Sequence, residues 1–209
     1  MATTDAVMTV EQIRAAEERT MREVPEDALM DRAAAAVAAA AGAILDQRGG
    51  LAGAPVLVLA GPGNNGGDAL LAGTLLALDG AEVTAVTLAP TAHRRGSRLL
   101  AASGGRLVPP GDEADAAAAG AAVAIDGIVG IGSRPGLRDD AAALVARIVA
   151  PVVAVDLPSG LDAGSPAAVE PYVHADVTVT FTAPKRCLVE APAADAAGTV
   201  ILADVGIAL

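Results

Sequence analysis

The stretch VLVLAGPGNNGGDAL, residues 56–70, indicates the fold of this protein. Its first five residues form an apolar run typical of a strand buried on both faces of a parallel sheet. The run leads into residues 61–70, where four glycines and two asparagines predict a turn from strand to helix, with Asp68 as the helix cap. Such a turn brings bare backbone close to a ligand, and the following helix N-terminus favours an anion. The spacing matches neither the dinucleotide motif GxGxxG nor the P-loop, so purely structural glycines remain an alternative.

Outward from this stretch, short β-rich runs alternate with longer helical runs, as in parallel βα units whose helices cover both sheet faces. We expect strands at residues 56–60, 83–88, near 107, 121–125, 152–155, 177–181 and 200–203. We expect helices between them at residues 68–79, 93–103, 113–119 and 137–149, and two earlier helices at 10–21 and 26–47. The pattern predicts one doubly wound α/β domain over residues 1–209, with a helical segment at 1–50 and a core at 55–209.

Composition and charge exclude several classes of protein. The 14 Lys and Arg residues against 25 Asp and Glu give a net charge of -11, so nucleic acid is not an expected partner. The longest apolar stretch, residues 33–45, is shorter than the roughly 20 residues that cross a bilayer, and the N-terminus lacks a basic, apolar leader. We therefore expect no membrane association and a cytoplasmic location. Cys187 is the only cysteine, so an internal disulfide is excluded and a small buried side chain is expected.

Two further polar loops follow predicted strands. DGIVGIGSRPG begins at Asp126, and DLPSGLDAG begins at Asp156. In open α/β sheets, ligands bind outside the carboxyl ends of the strands, where all three loops begin. If the strands are neighbours, Asp68, Asp126 and Asp156 lie close together and need a cation or raised pKa values.

The side-chain oxygens in these loops point to a hard cation rather than zinc. Asn65, Asp126 and Ser159 bring amide, carboxylate and hydroxyl oxygens, without a His or Cys pair nearby. Potassium is a candidate. Oxygen ligands alone do not separate it from sodium or magnesium, and ordinary solvent in place of an ion is a further alternative.

Taken together, the motifs resemble one family. GPGNNGGD at residues 61–68, the segment 126–136 and VDLPSGLDA at 155–163 are similar, in order and spacing, to the NAD(P)HX epimerases, also called the YjeF N-terminal domain family. ALMDRAA, ADVTVTFTAPK and GTVILADVGI, which begin at residues 28, 175 and 198, extend the resemblance over nearly the whole chain. The resemblance implies a Rossmann-like three-layer α/β/α sandwich, usually dimeric. Its activity would interconvert the R and S epimers of hydrated nicotinamide cofactors, NADHX and NADPHX, and a partner dehydratase would then restore the S epimer.

The resemblance also implies roles for particular residues. One potassium ion per subunit would be held by Asn65, Asp126 and Ser159. The substrate-binding residues implied are Asn64, Asn65, Gly66, Gly67, Asp68, Gly130, Ile131, Gly132, Ser133, Arg134, Pro135, Gly136 and Asp156.

Epimerisation breaks and remakes a bond at the hydrated carbon, so a proton must move there, and Asp156 is our candidate acid or base. The residues around Lys185 depart from the family pattern, so we expect a solvated or phosphate-facing lysine without a chemical role. Alternative functions are a binding module of the same fold without catalysis, or the epimerase half of a bifunctional epimerase and dehydratase.

Overall fold

The computed structural model describes residues 7–208. Residues 1–6 and 209 lie outside this range. The predicted domain bounds at residues 1 and 209, and the first residues of the N-terminus in which no leader is expected, therefore lie outside the described residues. Within residues 7–208 the chain forms six α-helices and seven β-strands. In chain order they are α1 (Val10–Thr20), α2 (Glu26–Asp46), β1 (Pro55–Ala60), α3 (Asn64–Leu78), β2 (Glu82–Thr87), α4 (Arg94–Ala102), β3 (Arg106–Val108), α5 (Asp112–Gly120), β4 (Val123–Gly127), α6 (Asp139–Val145), β5 (Val152–Val155), β6 (Val177–Phe181) and β7 (Thr199–Ala203).

Each predicted helix and strand is present, with ends shifted by at most a few residues. The sheet has the order β3-β2-β1-β4-β5-β6-β7, and every neighbouring pair is parallel. The α/β, Rossmann-like prediction is confirmed, and the sheet expected to be mostly parallel is parallel throughout. The strand order reverses between β1 and β4, and this reversal opens the crevice in which such sheets bind ligands.

The two faces of β1 show how the layers are held together. Val56, Val58 and Ala60 pack with α2, α3 and α4 on one face of the sheet. Leu57 and Leu59 point to the opposite face and pack with α5 and α6. Side chains alternate along a strand, so a continuous apolar run is what a strand covered on both faces requires.

Helix α2 is long and apolar enough, by length and composition alone, to cross a membrane, and it lies near the N-terminus. Its buried residues include Met30, Val37 and Leu45, which belong to the same core as β1 and α3. Alanines along that face let the helix lie close to α3. These contacts make α2 a core helix of the α/β fold.

The prediction that Asp68 caps α3 is wrong. The helix begins four residues earlier than expected, at Asn64, with Gly63 as its N-cap, so Asp68 lies inside the helix. Glycine disfavours helix, which is why the sequence pattern indicated a loop here. Tertiary packing decides otherwise, because a Cβ on Gly66 would lie 2.1 Å from the Gly61 carbonyl oxygen. Only glycine lets the helix start so close to the preceding turn.

Candidate active site

A cleft of about 560 Å³ lies at the carboxyl ends of β1, β4 and β5, and residues of α1 and α2 form part of its wall. This placement confirms that the three polar loops start at neighbouring strand ends. Asp126 itself lies within β4, because that strand extends to Gly127, beyond its predicted end. The predicted substrate-binding residues that line the cleft are Asn64, Asn65, Gly66, Asp68, Gly130, Ile131, Gly132, Ser133 and Asp156.

The other four predicted binding residues are placed elsewhere. A Cβ on Gly67 would meet Met30 and His93, so this glycine serves close packing between α3 and its neighbours. Arg134 and Pro135 are exposed. The Gly136 amide donates to the Gly160 carbonyl oxygen at 2.8 Å, which ties the end of this loop to the loop after β5.

Asp156 directly follows β5 and turns its carboxylate toward β6. Its φ of 70° lies in the left-handed region, which Asp enters more readily than most residues. The backbone amide donates to the Val179 carbonyl oxygen at 2.7 Å, and the Thr180 hydroxyl lies 3.1 Å from Oδ1. The residue is only 5 % exposed. Strand pairing therefore fixes the position of this carboxylate at the edge of the cleft.

The expectation of a solvated Lys185 is wrong. Lys185 is 1 % exposed, and its ammonium forms a buried ion pair with Oδ1 of Asp156. The same nitrogen donates to Thr180 Oγ1 and to the Phe181 carbonyl oxygen, both at 2.9 Å. All three ammonium hydrogens therefore have acceptors, which a buried charge requires. Lys185 compensates for the negative charge of Asp156.

Two other carboxyl groups of the cleft lie in surroundings that disfavour charge. Burial, followed by the nearby charge of Asp156, raises the pKa of Asp68 well above its ordinary value. Asp68 is 6 % exposed, and its Oδ1 has no hydrogen-bond partner within residues 7–208. Burial and the charge of Asp156 also raise the pKa of Glu17, whose carboxylate lies 3.4 Å from the Thr182 hydroxyl. Asp156 thus lies beside a cation, whereas Oδ1 of Asp68 is buried without a hydrogen-bond donor among the described residues.

Asp126 and Ser159 form a second polar cluster beside the cleft. The Ser159 hydroxyl donates to Asp126 Oδ1 at 2.6 Å, and the Ser159 amide donates to Oδ2 at 2.8 Å. Asp126 is fully buried, and this burial raises its pKa to about 6 despite the hydrogen bonds from Ser159 and Ile128. Burial is the main cause of both raised pKa values, and the charges of neighbouring carboxylates add to it at Asp68 but not at Asp126.

The predicted ion ligands converge around one backbone carbonyl. The Val129 oxygen lies 3.3 Å from both Asn65 Nδ2 and Ser159 Oγ, and Asn65 Nδ2 also donates to the Val155 oxygen at 2.8 Å. The serine hydroxyl has one proton, which the shorter contact to Asp126 takes. Asn65 turns its amide nitrogen, a donor, toward these carbonyls, so the oxygens that converge here are those of Asp126, Ser159 and Val129. This set fits a hard cation.

Sequence reasoning missed the contribution of α1 to the cleft. Glu17 and Arg14 both line it, and Arg14 Nη2 lies 3.5 Å from the Ile131 carbonyl oxygen. A Cβ on Gly132 would lie 2.2 Å from the same guanidinium nitrogen, so glycine makes room for Arg14. The sequence held no signal for this contact, but it did for Lys185. Lys185 is the only lysine in a chain that otherwise uses arginine as its cation.

The chain was compared with known proteins. Residues 26–187 match the family described as "YjeF-related protein N-terminus". The chain is 43 % identical over 171 residues to the NAD(P)H-hydrate epimerase of Clavibacter sepedonicus, covering 74 % of each protein. It is 41 % identical over 212 residues to the NAD(P)H-hydrate epimerase of Microbacterium testaceum, covering 98 % of this chain and 78 % of the relative.

A longer relative is similar to the chain in sequence, and a solved structure is similar to it in fold. The bifunctional NAD(P)H-hydrate repair enzyme Nnr of Mycobacterium tuberculosis is 42 % identical over 207 residues. The match covers 96 % of this chain but 41 % of Nnr, so the chain spans about two-fifths of that relative. The crystal structure of the yeast protein YNL200c has the same fold, with a TM-score of 0.75 at 24 % identity over 87 % of this chain and 82 % of the yeast chain. The family match and these identities show that the chain belongs to the family of the YjeF-related protein N-terminus.

Proposed function

We propose that this chain is an NAD(P)HX epimerase, an isomerase that interconverts the R and S epimers of NADHX and NADPHX in cofactor repair. Two of its relatives are named NAD(P)H-hydrate epimerase. The observation that carries the proposal is the Asp156 carboxylate, paired with buried Lys185 and lining the cleft at the switch point of the sheet. A fixed carboxylate in a cleft of about 560 Å³ suits proton transfer to a bound small molecule.

The chemistry at the hydrated carbon requires a base. This carbon bears a hydroxyl group and is bonded to the ring nitrogen, so its configuration changes only if one of these two bonds breaks and re-forms. Asp156 would accept the hydroxyl proton when the ring bond opens and return it when the ring closes on the other face. Lys185 and Thr180 would orient the carboxylate during both steps.

We further propose that Asn65, Asp126 and Ser159 hold one potassium ion. The ion would offset the buried charge of Asp126 and order the loops after β4 and β5. It would take no part in the proton transfer, which involves only protein groups. The expected result is a higher melting temperature in potassium chloride than in choline chloride of equal ionic strength. The difference should disappear in the Asp126→Asn variant. An equal melting temperature in both salts would refute the ion site.

The proposal also covers the oligomeric state, the cellular location and the enzyme that takes the product. We propose a homodimer in the cytoplasm whose product passes to an NAD(P)HX dehydratase. The coupling is supported by the bifunctional repair enzymes among the relatives, which match this chain over about two-fifths of their length. Whether a dehydratase domain adjoins the epimerase in one polypeptide can be tested by measuring whether the protein also consumes S-NADHX.

The proposed activity can be measured directly. R-NADHX, resolved by chiral chromatography, is followed with the wild type, with Asp156→Asn and with buffer alone, because the epimers also interconvert spontaneously. Asp162→Asn is the matched control, since Asp162 lies in the same loop but outside the cleft lining. We expect acceleration by the wild type and the control, and loss in Asp156→Asn. Tight binding of R-NADHX without acceleration would instead favour a non-catalytic binding module.

A further inference from the structure

We infer that Asp68 is the proton donor that acts together with the base Asp156 in the epimerisation. This inference rests on the proposed function and adds a second acid-base group to it. Both carboxyl groups line the same cleft, but they come from different elements: Asp68 from α3 and Asp156 from the loop after β5. The sequence pattern singled out only Asp156 as an acid or base and gave Asp68 a capping and substrate-binding role.

The hydrogen-bond geometry of the two groups differs. Oδ1 of Asp156 is surrounded by Lys185, Thr180 and the backbone amide of Phe181. Asp68 is 6 % exposed, and its buried Oδ1 has no partner within the described residues. A buried carboxylate without a donor is strongly disfavoured, whereas a neutral carboxylic acid costs much less to bury. Asp68 therefore keeps its proton in the folded protein.

The charges facing Asp68 also favour its protonated form. Asp156, Glu26, Asp31 and Glu17 are all carboxylates, and each of them adds to the burial that raises the pKa of Asp68. Three cations of this region lie against other groups: Lys185 pairs with Asp156, Arg95 of α4 pairs with Asp31, and Arg14 of α1 approaches the Ile131 carbonyl oxygen. His93 packs against Gly67, where its Nδ1 accepts a hydrogen bond from the Gly96 amide.

A pair of carboxyl groups held in opposite protonation states is what acid-base catalysis requires. In ring opening, Asp156 takes the hydroxyl proton, the carbonyl forms, and the electron pair of the broken carbon–nitrogen bond goes to the ring nitrogen. Asp68 gives its proton to that nitrogen. When the nitrogen attacks the other face of the carbonyl, Asp68 takes its proton back and Asp156 returns the hydroxyl proton. Both groups end as they began, so the cycle balances.

The test compares wild type, Asp68→Asn and the control Asp79→Asn, which changes an exposed carboxylate just after the same helix. Asparagine keeps the shape of the neutral acid and can still donate a hydrogen bond, but it cannot transfer a proton. We expect kcat of Asp68→Asn to fall about 10²- to 10⁴-fold with KM nearly unchanged. The alkaline limb of the kcat profile against pH should disappear in this variant and remain in the control.

An infrared measurement provides a readout independent of turnover. Wild-type protein at neutral pH should show a carboxylic-acid carbonyl band that Asp68→Asn lacks. If wild type turns over R-NADHX and Asp68→Asn keeps its kcat and its alkaline limb, the inference is overturned while the epimerase proposal stands. A raised KM with unchanged kcat would assign Asp68 to substrate binding only and would equally overturn it. Wild type that does not exceed buffer overturns both.

Discussion

Replacing Lys185 by methionine tests whether the buried ion pair is as important as its surroundings indicate. The substitution keeps the length of the side chain and removes its charge, which leaves Asp156 buried at 5 % exposure without its cation. Breaking one partner of a buried pair costs about 3–5 kcal/mol in free energy of unfolding. With a urea m-value of about 2 kcal/mol/M, the unfolding midpoint should fall by roughly 1.5–2.5 M.

The matched control is Arg186→Met, which removes the neighbouring but exposed cation. We expect its urea midpoint to stay close to that of the wild type, because water and salt screen an exposed ion pair. The double variant Lys185→Met with Asp156→Asn removes both buried charges together. Because the cost comes from an unpaired charge, this double variant should recover most of the stability that Lys185→Met loses.

Urea titration of the wild type, of Lys185→Met, Asp156→Asn and Arg186→Met, and of the double variant, followed by circular dichroism, measures these midpoints, and the R-NADHX assay measures their turnover. Lys185→Met should also lose most of its turnover, because the base is no longer oriented. If its midpoint falls no further than that of Arg186→Met, the ion pair does not stabilise the fold. If the two single losses simply add in the double variant, the charges are not coupled.

Three further predictions concern Asp68, the start of α3 and the cation from α1. Because the folded-state pKa of Asp68 is raised, the unfolded chain loses this proton first, so stability should fall as pH rises above about 4, by about 1.4 kcal/mol per unit up to the folded pKa. Asp68→Asn should make the slope shallower by this contribution in urea titrations at several pH values, whereas Asp126 and Glu17, whose pKa values are also raised, keep their own; an unchanged slope would contradict the reasoning. Gly66→Ala should cost about 3 kcal/mol, because its Cβ would overlap the Gly61 backbone. A Cβ on Gly63 would meet no atom of the described chain within 4 Å, so Gly63→Ala should lower the free energy of unfolding by less than about 1 kcal/mol. Equal shifts in melting temperature for Gly66→Ala and Gly63→Ala would refute the argument. Arg14 is a cation in the cleft lining, so we expect it to contact a phosphate group of the substrate. Arg14→Ala should therefore raise KM for R-NADHX about tenfold through a lost charged contact of about 1.5 kcal/mol, with the effect fading in high salt; an unchanged KM would refute this contact.

The order of the helices and strands follows from local patterns in the sequence. The run from Val56 to Ala60 has apolar side chains for both faces of a sheet, and the glycines after it mark a turn at the strand end. Three such turns at the ends of parallel strands were enough to predict a site at one edge of the sheet. The expectation that Cys187 is a small buried side chain also agrees with the structure. The residue is fully buried, and burial raises the pKa of its thiol to about 12.

The sequence by itself therefore determined the α/β architecture and the sheet edge at which the cleft lies, and it brought Asp156, Asp68 and Asp126 to that edge. Only the tertiary structure decided the environment of each group. Lys185 meets Asp156 across 29 residues of chain, and Arg14 meets Ile131 across 117. Local periodicity reflects which face of an element is buried, but burial of a charge depends on partners brought together by strand order and helix packing. For that reason the sequence predicted a solvated or phosphate-facing Lys185, whereas packing places it beside Asp156 and, among residues 7–208, pairs Asp68 with no cation.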